Sequence, residues 1–279
     1  MTLPAEPAPR APSFLDAYGK YFAIARSAFL QQLCERASLL GRCAFYCLIL
    51  LVFSCLWRTV FATASPEKTG IGRSPADYVW YLAVTEWIMI AQPSSHLDIE
   101  ADVRNGDIAY QLARPMSYVG AKLAQAFGEL ALRLLILAPF GLLFARLFSG
   151  EWAAPRAIAL SALAAIAAAI VLQLSYAAIG LCAIWMHDCT PVYLVWQKFL
   201  FVLGGLMVPI SLYPAWLRRI TRILPFATIL NGPGQLVLSG DHQHALRLLF
   251  ELGVWSIFGS AVLWRLERRA RATLELTGG

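Results

Sequence analysis

Apolar runs long enough to cross a bilayer recur along this chain with only short polar breaks between them, and no other feature limits its fold so strongly. A hydrocarbon core about 30 Å thick takes roughly 20 apolar residues in a helix. Every backbone N–H and C=O inside it must also be bonded within the protein, which a helix achieves by itself. A soluble core cannot absorb so much apolar side chain: 59% of the 279 residues are hydrophobic and 14% charged, where soluble domains carry roughly 25% charged residues. The sequence therefore predicts an all-α membrane protein.

The runs place six transmembrane helices at about 43–61, 78–92, 118–148, 157–186, 192–208 and 245–264. Residues 1–15, rich in Pro and Ala, lack the basic-then-apolar layout of a cleaved signal peptide and read as a disordered lead. Over 16–42, Tyr18, Phe22, Ala25, Phe29 and Leu33 recur at helical spacing while Lys20, Arg26, Glu35 and Arg36 take other positions, the pattern of an amphipathic helix lying in the membrane interface. Residues 43–264 form the transmembrane domain and 265–279 a basic tail with Arg265, Arg268, Arg269 and Arg271. Ser65 to Lys68, with Gly70 and Gly72 beyond, make a loop, and Pro93 stops the second span. The fourth span is rich in alanine, which permits close helix approach. Gly204 and Gly205 interrupt the fifth, and Pro209 closes it. From Ser211 to Gly240 the chain is moderately apolar but broken by Pro214, Pro225, Gly232, Pro233 and Gly234, which suits two short helices dipping back into the membrane. Trp57, Trp80, Trp152, Trp255 and Trp264 fall mainly near span ends, where aromatic belts form.

The formal charge is +6, with the basic residues mostly in the breaks, beside lipid headgroups. Nucleic acid would need a concentrated basic face, which is absent. Six spans put both termini on one side. The N-terminal segment, the break after span two and the tail hold somewhat more Lys and Arg than the opposite breaks, so that side is the cytoplasm. The six cysteines lie in or beside apolar segments without paired-ligand spacing, and no phosphate loop, zinc-protease or nucleophile-elbow motif occurs. His187, Asp188 and Cys189 sit adjacent on one turn and do not converge on a metal ion, so no metal site is expected. Four charged residues fall inside spans: Glu86, Glu129, Arg133 and Lys198. Unpaired, each would cost several kcal/mol. Glu129 and Arg133 stand i,i+4 with the acid first and can pair on one helix face. Glu86 is expected to find Arg133 or Lys198, for packing or to line a pathway.

The longest polar stretch, from Ser94 to Arg114, carries Asp98, Glu100, Asp102, Arg104 and Asp107 around Ile99, Val103 and Ile108 and predicts a short surface helix. Asp98 to Pro115 resembles the cytoplasmic loop of the ABC-2 family of ABC-transporter permeases, whose pattern is D-I-R-S-G-x-I-A-x-x-L-L-R-P, with Gly106, Ile108, Leu112, Arg114 and Pro115 in register. Gly204-Gly205 with Pro209 is similar to that family's break in span five. Tyr213 to Leu217, with Trp216, and Leu224-Pro225-Phe226 are similar to its re-entrant segment, and Gly278-Gly279 to its terminus. Asn105 departs from the usual serine, and Asn231 to Gly234 holds more helix breakers than the pattern.

The resemblance implies a transport subunit with no catalytic residue and no cofactor of its own, ATP and Mg residing on a cytoplasmic ABC ATPase dimer. It implies a coupling helix after span two, anchored in the ATPase by Ile99 and Val103 and oriented by Asp98, Asp102, Arg104 and Asp107. The turn at His187 and Asp188 would be a smaller contact or a plain capped turn. It further implies a second permease, identical or related, and a place in the lipids of a bacterial inner membrane, with export the direction of transport. A polytopic membrane enzyme or a scaffold acting on lipid-like substrates is the alternative; the scattered His96, His187, His242 and His244 offer it little.

Overall fold

The computed structural model describes residues 14–63, 74–112, 114, 116–206 and 209–276. The lead up to residue 13, the loop with Gly70 and Gly72, Pro115, the last two positions of the fifth expected span and Gly278-Gly279 lie outside the described residues. All regular structure among the described residues is helical: α1 (Phe14–Cys34), α2 (Arg36–Thr63), α3 (Pro75–Ile90), α4 (Ser95–Arg104), α5 (Asp107–Leu112), α6 (Tyr118–Ser149), α7 (Pro155–Leu181), α8 (Ala183–Met186), α9 (Thr190–Leu203), a 3-10 turn at Ile210–Leu212, α10 (Ala215–Ile223), α11 (Pro225–Ile229), α12 (Asn231–Ser239) and α13 (His242–Leu276).

Among the described residues four helices, within α2, α6, α7–α8 and α13, are long and apolar enough to cross a membrane. The runs expected as spans two and five form α3 and α9, of 16 and 14 residues. At 1.5 Å per residue they rise about 24 and 21 Å, less than the hydrocarbon thickness. Punctuation sets those lengths. Ser74 and Asp77 close a reciprocal capping box at the start of α3, and Pro93 follows its end. Pro191 stands in the first turn of α9 and Gly204 at its C-cap.

Two boundaries differ from the sequence reading. Only Glu35 separates α1 from α2, so residues 36–42 open the long helix instead of ending the amphipathic one. The basic tail continues α13 without a break to Leu276. The segment 211–240 holds three α-helices and a 3-10 turn, not two helices. Its run of breakers starts α12, where a proline in the first turn costs no backbone bond, and Gly232, Pro233 and Gly234 are buried where α12 packs on α3 and α7.

The core runs between α2, α3, α6, α7 and α12. Ala164, Ala165, Ala168 and Ala169 of α7 have no exposed surface. Tyr46 donates to the Ala83 carbonyl at 2.6 Å and Trp87 to that of Leu134 at 3.0 Å. Outer faces stay apolar, with Leu143 and Leu147 on α6 and Phe250, Ile257 and Phe258 on α13 exposed, as lipid-facing surface is.

α1 does more than lie at an interface. Tyr18, Phe22 and Leu33 face outward, while Ala28 and Gln32 are buried against α6. A Cβ on Gly128 would sit 2.0 Å from the Ala25 carbonyl oxygen, so the two backbones touch with no side chain between them. The sequence pattern identified the outward stripe and missed the docked one, whose residues are small or polar.

Candidate functional site

The polar stretch after α3 gathers at one end of the bundle, and its fold is set by what it packs on. Ile99, expected to anchor in a partner, has no exposed surface and joins Ile108, Leu112, Tyr118, Leu174, Leu181, Leu263 and Ala270 in a second cluster; Val103 is half-buried against it. The reason is Gly180, where a Cβ would fall 2.9 Å from both His96 Cα and Ile99 Cβ, so α4 lies directly on α7. His96 stacks on Tyr193 with ring centroids 3.9 Å apart and meets Tyr176 edge-on. Burial pushes its imidazole down to about 4, so it is neutral. Ser95 accepts a hydrogen bond from Gln173 of α7.

Asp102 is likewise spent inward. It pairs with Lys122 at 2.7 Å and accepts from Tyr118 Oη at 2.7 Å and Gln111 at 3.3 Å. This corrects its expected role as an orienting charge on the surface. Asp98, Arg104, Asp107 and Arg114 are exposed. Gly106 bends the chain between α4 and α5 at φ +77, a backbone state favoured by glycine. Tyr110 is 70% exposed, with the Arg114 guanidinium 4.8 Å from its ring centroid.

The turn between α8 and α9 sits beside this loop. Glu100 accepts from the Cys189 amide at 3.1 Å and from its thiol at 2.9 Å, and lies 3.6 Å from Arg104. Burial, with the Glu100 carboxylate, pushes the Cys189 thiol up to about 12. His187, in the left-handed region at φ 62, and Asp188 remain exposed next to Trp185 and Met186. The Thr190 amide holds the Asp188 carboxyl below its usual range. No group of three metal-ligating side chains occurs among the described residues. Sequence spacing brought up both polar segments; the Glu100–Cys189 clasp between them had no signal in it.

Both ends of the described chain tie into the same site. Glu267 of α13 accepts from Ser117 Oγ at 2.8 Å and the Tyr118 amide at 3.1 Å, and Arg271 donates to the Leu112 carbonyl at 2.7 Å. From α1, Tyr21 Oη accepts from the Ser117 amide at 3.2 Å.

The charged residues inside the helices separate into three situations. Arg133 and Glu129 pair at 2.9 Å as their spacing predicts, and Arg133 also donates to Gln32 of α1 at 2.6 and 3.1 Å and to the Gln92 carbonyl at 3.0 Å. Lys198 is exposed on α9, 5.5 Å from the Phe201 ring centroid. Glu86, 5% exposed, pairs with neither. Arg133 is already saturated and Lys198 points away, which overturns the expected partnership.

In the interrupted segment, Gly204 and Gly205 are buried and Tyr81 donates to the Gly205 carbonyl at 2.6 Å. Pro209 is buried and Pro214 and Trp216 are exposed. Pro225 starts α11, and Phe226 packs edge-on against Trp196 at 4.8 Å between ring centroids.

No curated protein matches the chain. A family model described as ABC-2 family transporter protein matches residues 77–267, from the first turn of α3 to the C-terminal part of α13. With a match over more than half its length, an all-helical fold and four helices able to cross a membrane, the chain belongs to the ABC-2 family transporter proteins, the multi-pass membrane transport subunits of ABC transporters.

Proposed function

We propose that the chain is the permease subunit of an ATP-driven exporter, coupled through α4, α5 and the α8–α9 turn to a separate cytoplasmic ABC ATPase dimer that holds ATP and Mg. The observation that carries this is the clasp. Two polar segments far apart in sequence are tied by Glu100 and Cys189 into one surface whose tip, at Arg104, Asp107, Tyr110, His187 and Asp188, makes few internal contacts. A rigid base with an exposed, mixed-charge tip suits docking on a soluble partner, since such charges orient the encounter.

In this reading the chain crosses the inner membrane of a bacterium six times, α3 and α9 being the two short passes, and both termini share the cytoplasmic side with the docking surface. A second permease, identical or related, completes the pathway. ATP binding closes the ATPase dimer, the docking surface moves, and the helices above it follow. Export is the direction the family resemblance favours.

The test is co-purification of the full chain with its ATPase, together with hydrolysis measured in liposomes. Reversing charge at Arg104, Asp107 and Asp188 should weaken association at least tenfold and leave the helical fold intact. Asp102→Lys, by contrast, should damage the fold first. Failure of any ABC ATPase to co-purify, or a triple reversal that leaves transport-coupled hydrolysis unchanged, would overturn the proposal.

A further inference from the structure

A cavity of about 700 Å³ lies between α2, α3, α7 and α9. Glu86 lines it from α3. The residue is 5% exposed, and its carboxyl group makes no hydrogen bond or ion pair among the described residues. The other charged group on the wall is Arg42, whose guanidinium donates to the Ile90 carbonyl at 3.3 Å and makes no ion pair. His96 is neutral, and Gln92 donates to the Ile88 and Ala169 carbonyls. The rest of the wall is apolar or aromatic, with Phe45, Phe53 and Phe201 beside Tyr176 and Tyr193. Phe45 is more than half exposed, so the wall continues onto the outer face of α2.

We infer that this cavity binds a cationic amphiphile, its charged head on Glu86 and its apolar body along the aromatic wall. A lone carboxylate in a membrane protein is costly unless it takes up a proton or a counter-charge reaches it. Arg133 is committed to Glu129, Lys198 is exposed on α9, and Arg42, on the same wall, makes no ion pair with Glu86. Aromatic rings add attraction for a cation held over their faces. An anion could pair with Arg42, whose Nε has no partner, but would meet Glu86 in the same cavity. Binding to this cavity needs no ATPase, so its outcome is independent of the transport proposal.

The probe pair is tetraphenylphosphonium and tetraphenylborate, nearly equal in shape and opposite in charge. Binding to the full chain in lipid nanodiscs is measured by equilibrium dialysis, with empty nanodiscs subtracted. Wild type should bind the phosphonium saturably and prefer it to the borate. Glu86→Gln should lose at least tenfold in phosphonium affinity, while Glu86→Asp stays within about threefold of wild type. Ile49→Trp, which fills the cavity from α2 with Glu86 intact, should weaken the phosphonium at unchanged thermal stability, and this serves where Glu86→Gln does not fold. The inference is overturned by equal phosphonium affinity in wild type and Glu86→Gln, by unchanged affinity in Ile49→Trp, by no preference for the cation, or by no saturable binding above empty nanodiscs.

Discussion

Removing the carboxylate of Glu100 tests whether α4 and the α8–α9 turn form one unit. In the intact chain it accepts both the amide and the thiol of Cys189, which has no exposed surface. In Glu100→Ala the amide is left buried without a partner. Such a loss costs about 1–3 kcal/mol, and more when the removed acceptor was charged. At about 2–3 kcal/mol, the population in which the α8–α9 turn has swung away from α4 rises roughly 30- to 150-fold. The readout is maleimide labelling of Cys189 in a background where the other five cysteines are replaced. In the wild type the thiol is both sealed and held up at about 12 by burial and the carboxylate, so labelling is slow. In the variant both barriers fall and the rate should rise by at least the opening factor. A single-cysteine background retaining Cys182, which does not touch Glu100, should label at the same rate with or without the substitution. If Cys189 labelling is unchanged, or if Cys182 accelerates equally, the clasp is not what joins the two segments.

Three other outcomes follow from the packing. Gly128→Ala forces a methyl against the Ala25 carbonyl, and pushing α1 off α6 should cost about 1–3 kcal/mol, read as faster proteolysis within α1 at unchanged helix content. Arg133→Leu strips Glu129, Gln32 and the Gln92 carbonyl of their shared donor and should destabilise by about 3–5 kcal/mol in detergent melts, with Arg133→Lys recovering part of it. His96 is neutral when folded, at about 4 against an ordinary 6.5, so the unfolded chain takes up the proton first. Stability from this site should be level above pH 6.5 and fall by about 3 kcal/mol as pH drops from 6.5 towards 4. His96→Phe should flatten that slope, and an unaltered slope would assign the proton elsewhere.

The apolar runs located the long helices, because helical periodicity and breakers such as proline act locally. Pro93 was legible as the stop after α3, whereas the Ser74–Asp77 capping box that starts it was missed, the run being expected from about 78. The Glu129–Arg133 pair was legible for the same reason, since i,i+4 neighbours on a helix meet wherever the helix goes. What else failed depended on contacts between distant segments. Ile99 and Asp102 read as surface residues in a polar stretch, yet Gly180 draws one onto α7 and Lys122 takes the other. Whether a buried acid such as Glu86 finds a partner turns on which way three separate helices rotate, and composition is silent on rotation. The docked face of α1 escaped because Ala28 and Gln32 are small or polar, and because Ala25, read as part of the apolar stripe, meets Gly128 through its backbone.

The clasp also has a mechanical consequence. Through Gly180, the Ser95–Gln173 bond, Asp102–Lys122 and Glu100–Cys189, α4 is fastened at four places to α6, α7 and the start of α9. A push delivered at Arg104, on α4 itself, reaches those helices without crossing the bend at Gly106. Under the proposed coupling α4 is therefore a handle on a stiff block, and a displacement of α4 by a partner ATPase would pass directly to the helices it is fastened to.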